Sequence, residues 1–157
     1  MQTITPFLTF SNDLQEVMDF YSSIFTDATF SNVFKVGGGN PGEKGSVMSA
    51  TFNLNGQKFM AMNGGPTFSF SQGFSLFVNC KDQAEVDELW AKLSDGGKEG
   101  RCGWLEDRFG VSWQIIPKAL GELMGDKDPA KSKRVMEAML KMDKIIVADL
   151  QAAYEGK

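Results

Sequence analysis

The chemistry open to this 157-residue chain is limited first by a residue type that the sequence lacks, histidine. Without imidazole, a Ser–His–Asp triad, a Cys–His pair and a histidine-based zinc site are excluded. The two cysteines, Cys80 and Cys102, are too few for a disulfide framework. Arg101 precedes Cys102 and could favour its thiolate, but no histidine is available as the base. We therefore expect Cys102 to be an inert or semi-buried thiol.

Glu106 and Asp107 form an adjacent pair of carboxylates. Adjacent side chains on a strand point to opposite faces, so the two cannot act as a close pair. Asp107 begins the segment 107–110, whose Asp-first and Gly-last pattern is typical of a turn, and we expect it to cap that turn. Glu106 is then the candidate general acid or base, provided that burial makes its carboxyl group easier to protonate. Arg101 and Arg108 could hold an anionic ligand, with solvated surface charge as the alternative.

Residues 37–42 read Gly-Gly-Gly-Asn-Pro-Gly and formally satisfy the pattern GxGxxG. In dinucleotide-binding proteins such a loop opens a helix whose amides meet the pyrophosphate, and class I methyltransferases also lead their glycine loop into a helix. Here Pro41 removes one amide, and the next segment has the pattern of a strand. We expect a hairpin loop, no cofactor and no methyltransferase fold, since alternating βα units are also missing.

Composition and charge narrow the class of protein further. The net charge is −4 and the isoelectric point is about 4.9, which argues against a nucleic-acid partner. No apolar stretch approaches the ~20 residues needed to cross a bilayer, so we expect no membrane association. The N-terminus lacks the pattern of a signal peptide, and two reduced thiols would suit a cytoplasmic protein, which is the localisation that we expect.

The elements that must position these residues fall into two similar halves. In the first half we predict strands over 4–10, 28–36, 48–54 and 57–62, with a hairpin turn at Asn55-Gly56. In the second half we predict strands over 74–80, 103–106 and 111–117. A helix follows the first strand of each half, and its start carries a capping box, Asp13 with Glu16 and Asp82 with Glu85.

The chain after Pro117 is predicted to be wholly helical. Asp128-Pro129 should begin one helix and Asp143 the last one. Four apolar residues of this tail could form a partner surface or pack on the body of the protein: Met136, Met139, Leu140 and Met142.

The two halves match each other in sequence, which indicates an internal duplication. Asp13 aligns with Asp82 together with the apolar positions of the two helices, and Gly56 aligns with Gly110 at a shorter offset. We infer that the second half lost residues. Each half thus has the order strand, helix, strands.

The chain resembles the PhnB-like proteins of the vicinal-oxygen-chelate (glyoxalase/bleomycin-resistance) superfamily, a group often labelled 3-demethylubiquinone-9 3-methyltransferase. The stretches that carry the resemblance are Phe20-Tyr21, 60–66, 100–110, 112–114 and 135–140, and 100–117 is the most specific of them. The resemblance implies an α+β fold of two βαβββ modules, 1–63 and 74–117, with C-terminal helices over 118–157, in a single domain. It also implies paired sheets that form a cup for a small molecule, and a homodimer to which the tail helices contribute.

Metal-using members of the superfamily carry one ligand on the first and last strand of each half, usually His or Glu. Carrying this register over to the present sequence gives Pro6, Met60, Ser75 and Gln114. None of these offers an imidazole or a carboxylate, and a thioether suits hard divalent ions poorly. We therefore expect no metal.

Strand alternation then predicts the lining of the cup. With Met60 and Gln114 pointing inward, Lys58, Ser112 and Ile116 also point inward, whereas the neighbouring residues pack on the helices. The expected ligand-binding residues are Met60, Met62, Ser75, Phe77, Asn79, Trp104 and Gln114. This lining predicts binding of a small, mostly apolar molecule without metal. The alternatives are a metal-independent enzyme that uses Glu106 for proton transfer, and an interaction module whose cup is filled by side chains.

Overall fold

The computed structural model describes residues 4–37 and 45–157. The chain divides into two compact units at the boundary between Ser69 and Phe70. We describe each unit by itself, and the single-domain organisation stays a prediction.

The first unit has the predicted order strand, helix and three strands. Its elements are β1 (Phe7–Phe10), α1 (Leu14–Ile24), β2 (Thr29–Val36), β3 (Ser46–Leu54) and β4 (Gln57–Asn63). The sheet order is β1-β4-β3-β2; β1 is parallel to β4 and the other pairs are antiparallel. β1 begins at Phe7 rather than at Ile4. Most of the glycine-rich loop predicted over 37–42 lies outside the described residues, but the two strands that flank it pair as in a hairpin.

One face of the first sheet packs on α1. The helix buries Leu14, Val17, Tyr21 and Ile24, which recur at the spacing of one helical face. On the sheet, Phe52 and Phe59 pair across β3 and β4 with their ring centroids 5.0 Å apart, and the Tyr21 ring lies 6.3 Å from that of Phe52.

The turn between β3 and β4 has the predicted geometry. Asn55 and Gly56 both have positive φ, 47° and 81°, as a type I′ turn requires. This two-residue turn fixes the register of β3 against β4, in which Thr51 pairs with Met60 and Ser49 with Met62.

The two predicted capping boxes differ in outcome. At α2 the box forms: the Glu85 backbone N–H donates to Asp82 Oδ1 at 3.0 Å, and the Lys81 N–H donates to Glu85 Oε2 at 2.6 Å. At α1 the prediction is wrong, because Asp13 has ψ of 17° instead of the extended backbone of Asp82 and its side chain does not cap. Asn63 caps α1 instead.

Asn63 joins three elements of the first unit. Its Oδ1 accepts from the Leu14 N–H at 3.0 Å, at the start of α1. Its Nδ2 donates to the Val47 carbonyl of β3 at 2.9 Å. The end of β4 therefore positions the helix against the sheet.

The second unit repeats the plan of the first. Its sheet elements and helix are β5 (Ser75–Cys80), α2 (Gln83–Ser94), β6 (Lys98–Glu99), β7 (Trp104–Glu106) and β8 (Ser112–Pro117). The order β5-β8-β7-β6, with β5 parallel to β8, is that of the first sheet. The predicted duplication into two βαβββ modules is confirmed. β6 and β7 are much shorter than their counterparts, which accounts for the shorter offset, and β6 was not predicted.

The tail forms α3 (Lys118–Met124), α4 (Pro129–Met139) and α5 (Val147–Glu155). Asp128 caps α4 as predicted, with its side chain accepting from the Ala130 N–H at 2.9 Å. The prediction that a helix begins at Asp143 is wrong. The Asp143 carbonyl accepts from the Gly103 N–H at 2.7 Å and the Met142 carbonyl from the Cys102 N–H at 2.8 Å, so this segment is held against the 102–103 loop.

The tail packs on the end of β8. Ile116 is buried in a cluster with Leu120, Val135, Ile145 and Leu150, so the prediction that Ile116 lines a cup is wrong. The tail apolar residues divide between the two expectations: Met139 and Met142 pack against this cluster, whereas Met136 and Leu140 are exposed. Within the described part of the chain, no helix combines the length and apolar character needed to cross a bilayer.

Candidate functional site

The first sheet has one face that points away from α1, which we call the far face. Phe7, Met60 and Thr51 stand in one row across β1, β4 and β3, and Thr9, Met62 and Ser49 in the next. Met60 is 41% exposed, whereas Phe59 beside it is buried on the helix side. Strand alternation therefore places Met60 and Met62 on the face that the sequence predicted.

A cavity of about 470 Å³ opens on this far face. Its lining is mostly apolar with a few polar groups: Phe7, Asn32, Met48, Ser49, Ala50, Thr51, Met60, Ala61 and Met62. Sequence reasoning found only Met60 and Met62. The turn at 55–56 was a usable signal for Ser49 and Thr51, because a two-residue turn fixes which β3 residues stand beside the β4 methionines.

For Asn32 and Met48, by contrast, no pattern in the sequence indicated a place in the cavity lining. Asn32 has a positive φ of 49°, and the pairing of β2 with β3 shifts register between Ser31 and Phe34. A bulge of this kind changes the face to which the following side chains point. Simple alternation therefore fails there.

The far face of the second sheet, away from α2, collects the remaining predicted residues. Phe77, Gln114 and Trp104 stand in one row across β5, β8 and β7. Gln114 Nε2 donates to Ser75 Oγ at 2.8 Å, which joins this row to the next. Asn79 lies on the same face of β5 and is exposed.

Glu106 lies on this face beside Ser112. Its Oε1 is 3.4 Å from Lys98 Nζ, and its side chain is 34% exposed. A solvated ion pair of this kind is an ordinary surface contact, and it gives no support to a catalytic role. The role of Glu106 as an acid or base stays a prediction.

Asp107 does cap its turn. Its side chain is buried and accepts hydrogen bonds from the backbone N–H groups of Phe109 and Val111 and from Trp113 Nε1. The carboxylate therefore organises the turn that leads into β8, on which Gln114 lies.

The two arginines weighed as anion-binding groups have contacts within the protein. Arg108 donates to the carbonyl and the carboxylate of Asp95, at the end of α2. Arg101 donates to the Leu140 carbonyl at 2.8 Å, at the end of α4. Both side chains stabilise helix ends.

The two cysteines lie in different environments. Cys80 is buried, and its burial, with the nearby charges of Glu85 and Asp82, raises the pKa of its thiol from 9.0 to about 12. Cys102 is half-buried in the loop that holds the tail, with a positive φ of 57°. Cys80 is thus kept as an unreactive thiol.

One of the four positions considered for a metal needs correction. Phe7 pairs with Met60, and Phe77 pairs with Gln114, so Phe7 of β1 is equivalent to Phe77 of β5. The offset between these two strands is therefore one residue larger than the offset between Asp13 and Asp82 at the helix starts. An extra residue between β1 and α1 explains the difference. The counterpart of Ser75 is therefore Thr5, not Pro6.

The corrected set of donors does not fit a divalent ion. It consists of two hydroxyl groups, one thioether and one amide, and the amide of Gln114 is already hydrogen-bonded to Ser75. Across residues 4–37 and 45–157, no three His, Cys, Asp or Glu side chains come together as a metal-binding group.

Comparison with known proteins agrees with this fold. The sequence model of the 3-demethylubiquinone-9 3-methyltransferase family matches residues 2–116. A PhnB protein from Bacillus cereus is 35% identical, with a TM-score of 0.65 over 74% of this chain and 99% of that one. Protein PA1353 from Pseudomonas aeruginosa, 24% identical, has a similar fold, with a TM-score of 0.57 over 72% of this chain and 95% of that one. The search of curated proteins found no match. The chain belongs to the PhnB-like family labelled 3-demethylubiquinone-9 3-methyltransferase, and it folds into the two βαβββ modules described above.

Proposed function

We propose that this protein binds a small, mostly apolar molecule without the help of a metal ion. The observation that carries the proposal is the cavity on the far face of the first sheet. Its volume of about 470 Å³ lies within the range of ~300–1,000 Å³ that is usual for small-molecule sites.

The lining of the cavity defines what it can bind. Phe7, Met60 and Met62 supply apolar surface, and methionine side chains adapt to ligands of different shape. Ser49 and Thr51 supply hydroxyl groups that can fix the orientation of a ligand through a few hydrogen bonds. Ser75, Phe77, Asn79, Trp104 and Gln114 offer a further binding face in the second unit.

Binding is better supported than catalysis. Methyl transfer is not proposed, because the strands on both sides of the glycine-rich loop pair as a hairpin, and where the structure describes the chain again, from residue 45, it continues as strand β3. Proton transfer by Glu106 is the remaining catalytic alternative, and the exposed pair with Lys98 gives it no support. We also propose a homodimer, which sedimentation of the purified chain would test.

A titration with N-phenyl-1-naphthylamine, an uncharged apolar fluorophore, tests the binding function. We expect saturable binding, weakened about 5-fold or more by Met60→Gln because an apolar contact is replaced by a polar one. Met136→Gln is the matched control, since Met136 is also 41% exposed but lies on α4. The reasoning fails if the fluorophore does not saturate the wild-type chain or if both variants weaken it equally. Calorimetric titration with Zn²⁺, Ni²⁺ or Mn²⁺ should show no tight stoichiometric site.

A further inference from the structure

We propose that Phe77 and Trp104 clamp a planar aromatic ring above the amide of Gln114, and that this ring carries an O–H or N–H donor. The inference rests on the proposed binding function and adds the chemical class of the ligand. It is carried by the register of the second sheet and by the hydrogen bond between Gln114 and Ser75.

The spacing of the strands gives the clamp its width. Phe77 pairs with Gln114 on one side, and Trp104 pairs with Gln114 on the other, so one strand separates the two aromatic residues. Because neighbouring strands are about 4.8 Å apart, the two Cα atoms are separated by about 9–10 Å. Stacked aromatic rings lie ~4.5 Å or more apart, so this separation admits one ring between the two.

The aromatic side chains are available to a ligand. Phe77 is 59% exposed and Trp104 is partly buried, and both stand on the face away from α2. Side chains on a strand stand roughly perpendicular to the sheet, so the two can face each other across β8. Insertion of a flat ring would remove apolar surface of both from water.

The floor of the clamp presents hydrogen-bond acceptors. Gln114 Nε2 is engaged by Ser75 Oγ, which fixes the amide and leaves Gln114 Oε1 to accept from a ligand. Glu106, two residues from Trp104 on the same face of β7, is a second acceptor. A ring with a hydroxyl or N–H group therefore fits this floor better than a ring without a donor.

The first unit provides an internal comparison. Its equivalent row is Phe7, Met60 and Thr51, which has one aromatic side chain and no amide. The duplicated fold therefore carries a pair of aromatic side chains in the second sheet and a single one in the first, so the two faces should differ in the ligands that they prefer.

Three probes with the same two-ring carbon skeleton test the proposal: 2-naphthol, 2-methoxynaphthalene, which lacks the donor, and decahydro-2-naphthol, which is not planar. We expect 2-naphthol to bind the wild-type chain most tightly in equilibrium titrations. Phe77→Leu and Trp104→Leu should each weaken 2-naphthol about 3- to 10-fold by removing one stacking partner. Phe74→Leu is the matched control, because Phe74 is 48% exposed just before β5 and lies outside the row of the clamp, so it should leave the affinity for 2-naphthol unchanged.

Gln114→Met tests whether the ligand donates a hydrogen bond to Gln114 Oε1. The substitution installs the residue found at the equivalent position of the first unit. It should weaken 2-naphthol about 5-fold and leave 2-methoxynaphthalene unchanged. Thermal melts of each variant check the fold.

The clamp is refuted if Phe77→Leu and Trp104→Leu leave 2-naphthol affinity unchanged while the wild-type chain still binds N-phenyl-1-naphthylamine; the binding function then stands without it. It is also refuted if Phe77→Leu changes the oligomeric state rather than the affinity, because a second copy then covers this face. If no probe, including N-phenyl-1-naphthylamine, binds saturably, the proposed function itself fails.

Discussion

Replacing Asp107 by asparagine should destabilise the second unit by about 2–3 kcal/mol. Asp107 is 1% exposed and accepts from the N–H groups of Phe109 and Val111 at 2.9 and 3.0 Å and from Trp113 Nε1 at 2.9 Å. The side-chain oxygen of an asparagine can still accept from the two backbone N–H groups, but its NH₂ group then faces the Trp113 indole N–H. Both of these groups are donors, so no hydrogen bond forms between them. A buried donor without an acceptor costs about 1–3 kcal/mol, and a hydrogen bond to a charged group is worth about 1.5–3 kcal/mol.

Urea unfolding followed by tryptophan fluorescence measures this loss, because Trp90, Trp104 and Trp113 all lie in the second unit. With m near 1–3 kcal/mol/M, the midpoint should fall by about 1–2 M at unchanged m. Asp95→Asn is the control: the Asp95 side chain is 74% exposed in its pair with Arg108, so its loss should cost under about 1 kcal/mol.

A second substitution separates the opposed donors from any general disturbance of the turn. Trp113→Phe removes the indole N–H, so Asp107→Asn made in that background should cost less than about 1 kcal/mol. An equal cost of Asp107→Asn in both backgrounds would refute the assigned role of the Trp113 hydrogen bond.

Two further predictions concern Cys80 and the cap of α1. Because the pKa of Cys80 is raised to about 12, its thiolate is scarce at pH 8.5, and iodoacetamide should modify Cys80 only after unfolding; rapid modification of the folded chain, seen by mass spectrometry, would contradict its burial. Asn63→Ala should lower the unfolding free energy by about 1–2 kcal/mol by removing the bonds to Leu14 and Val47, whereas Asp13→Ala should cost less; the reverse order in urea titrations would restore the capping role to Asp13.

The sequence predicted what depends on local pattern. Asn55-Gly56 identified a hairpin, and that hairpin fixed the side of β4 on which Met60 lies. The Asp82 box formed because both of its residues are close in the chain and Asp82 has extended backbone. Repetition of such local signals in both halves predicted the duplicated topology.

The features that the sequence missed depend on contacts between distant residues. The cap of α1 comes from Asn63, 49 positions along the chain from Leu14. The predicted start of α5 was wrong because the Asp143 carbonyl accepts a hydrogen bond from Gly103, a loop residue. Hydrophobic periodicity carries no information about such a contact. Of the cavity lining, the sequence found only Met60 and Met62, and Asn32 was beyond reach because the bulge in β2 breaks alternation. Similarly, an extra residue between β1 and α1 shifted one predicted donor position.

The hydrogen bonds between the 101–103 loop and the tail hold the tail in place, whereas the tail's apolar side chains cover the end of β8. Two of these three hydrogen bonds run from backbone to backbone and the third ends on a carbonyl, so tail side chains can diverge without breaking them. The tail must, however, keep nonpolar side chains of sufficient volume to cover Ile116. The family match ends at residue 116. In a shorter relative that stopped after β8, the residue equivalent to Ile116 would be exposed to solvent, so we expect a hydrophilic residue at that position. Ile116 thus serves as a marker by which sequences with this helical appendage can be sorted from those without it.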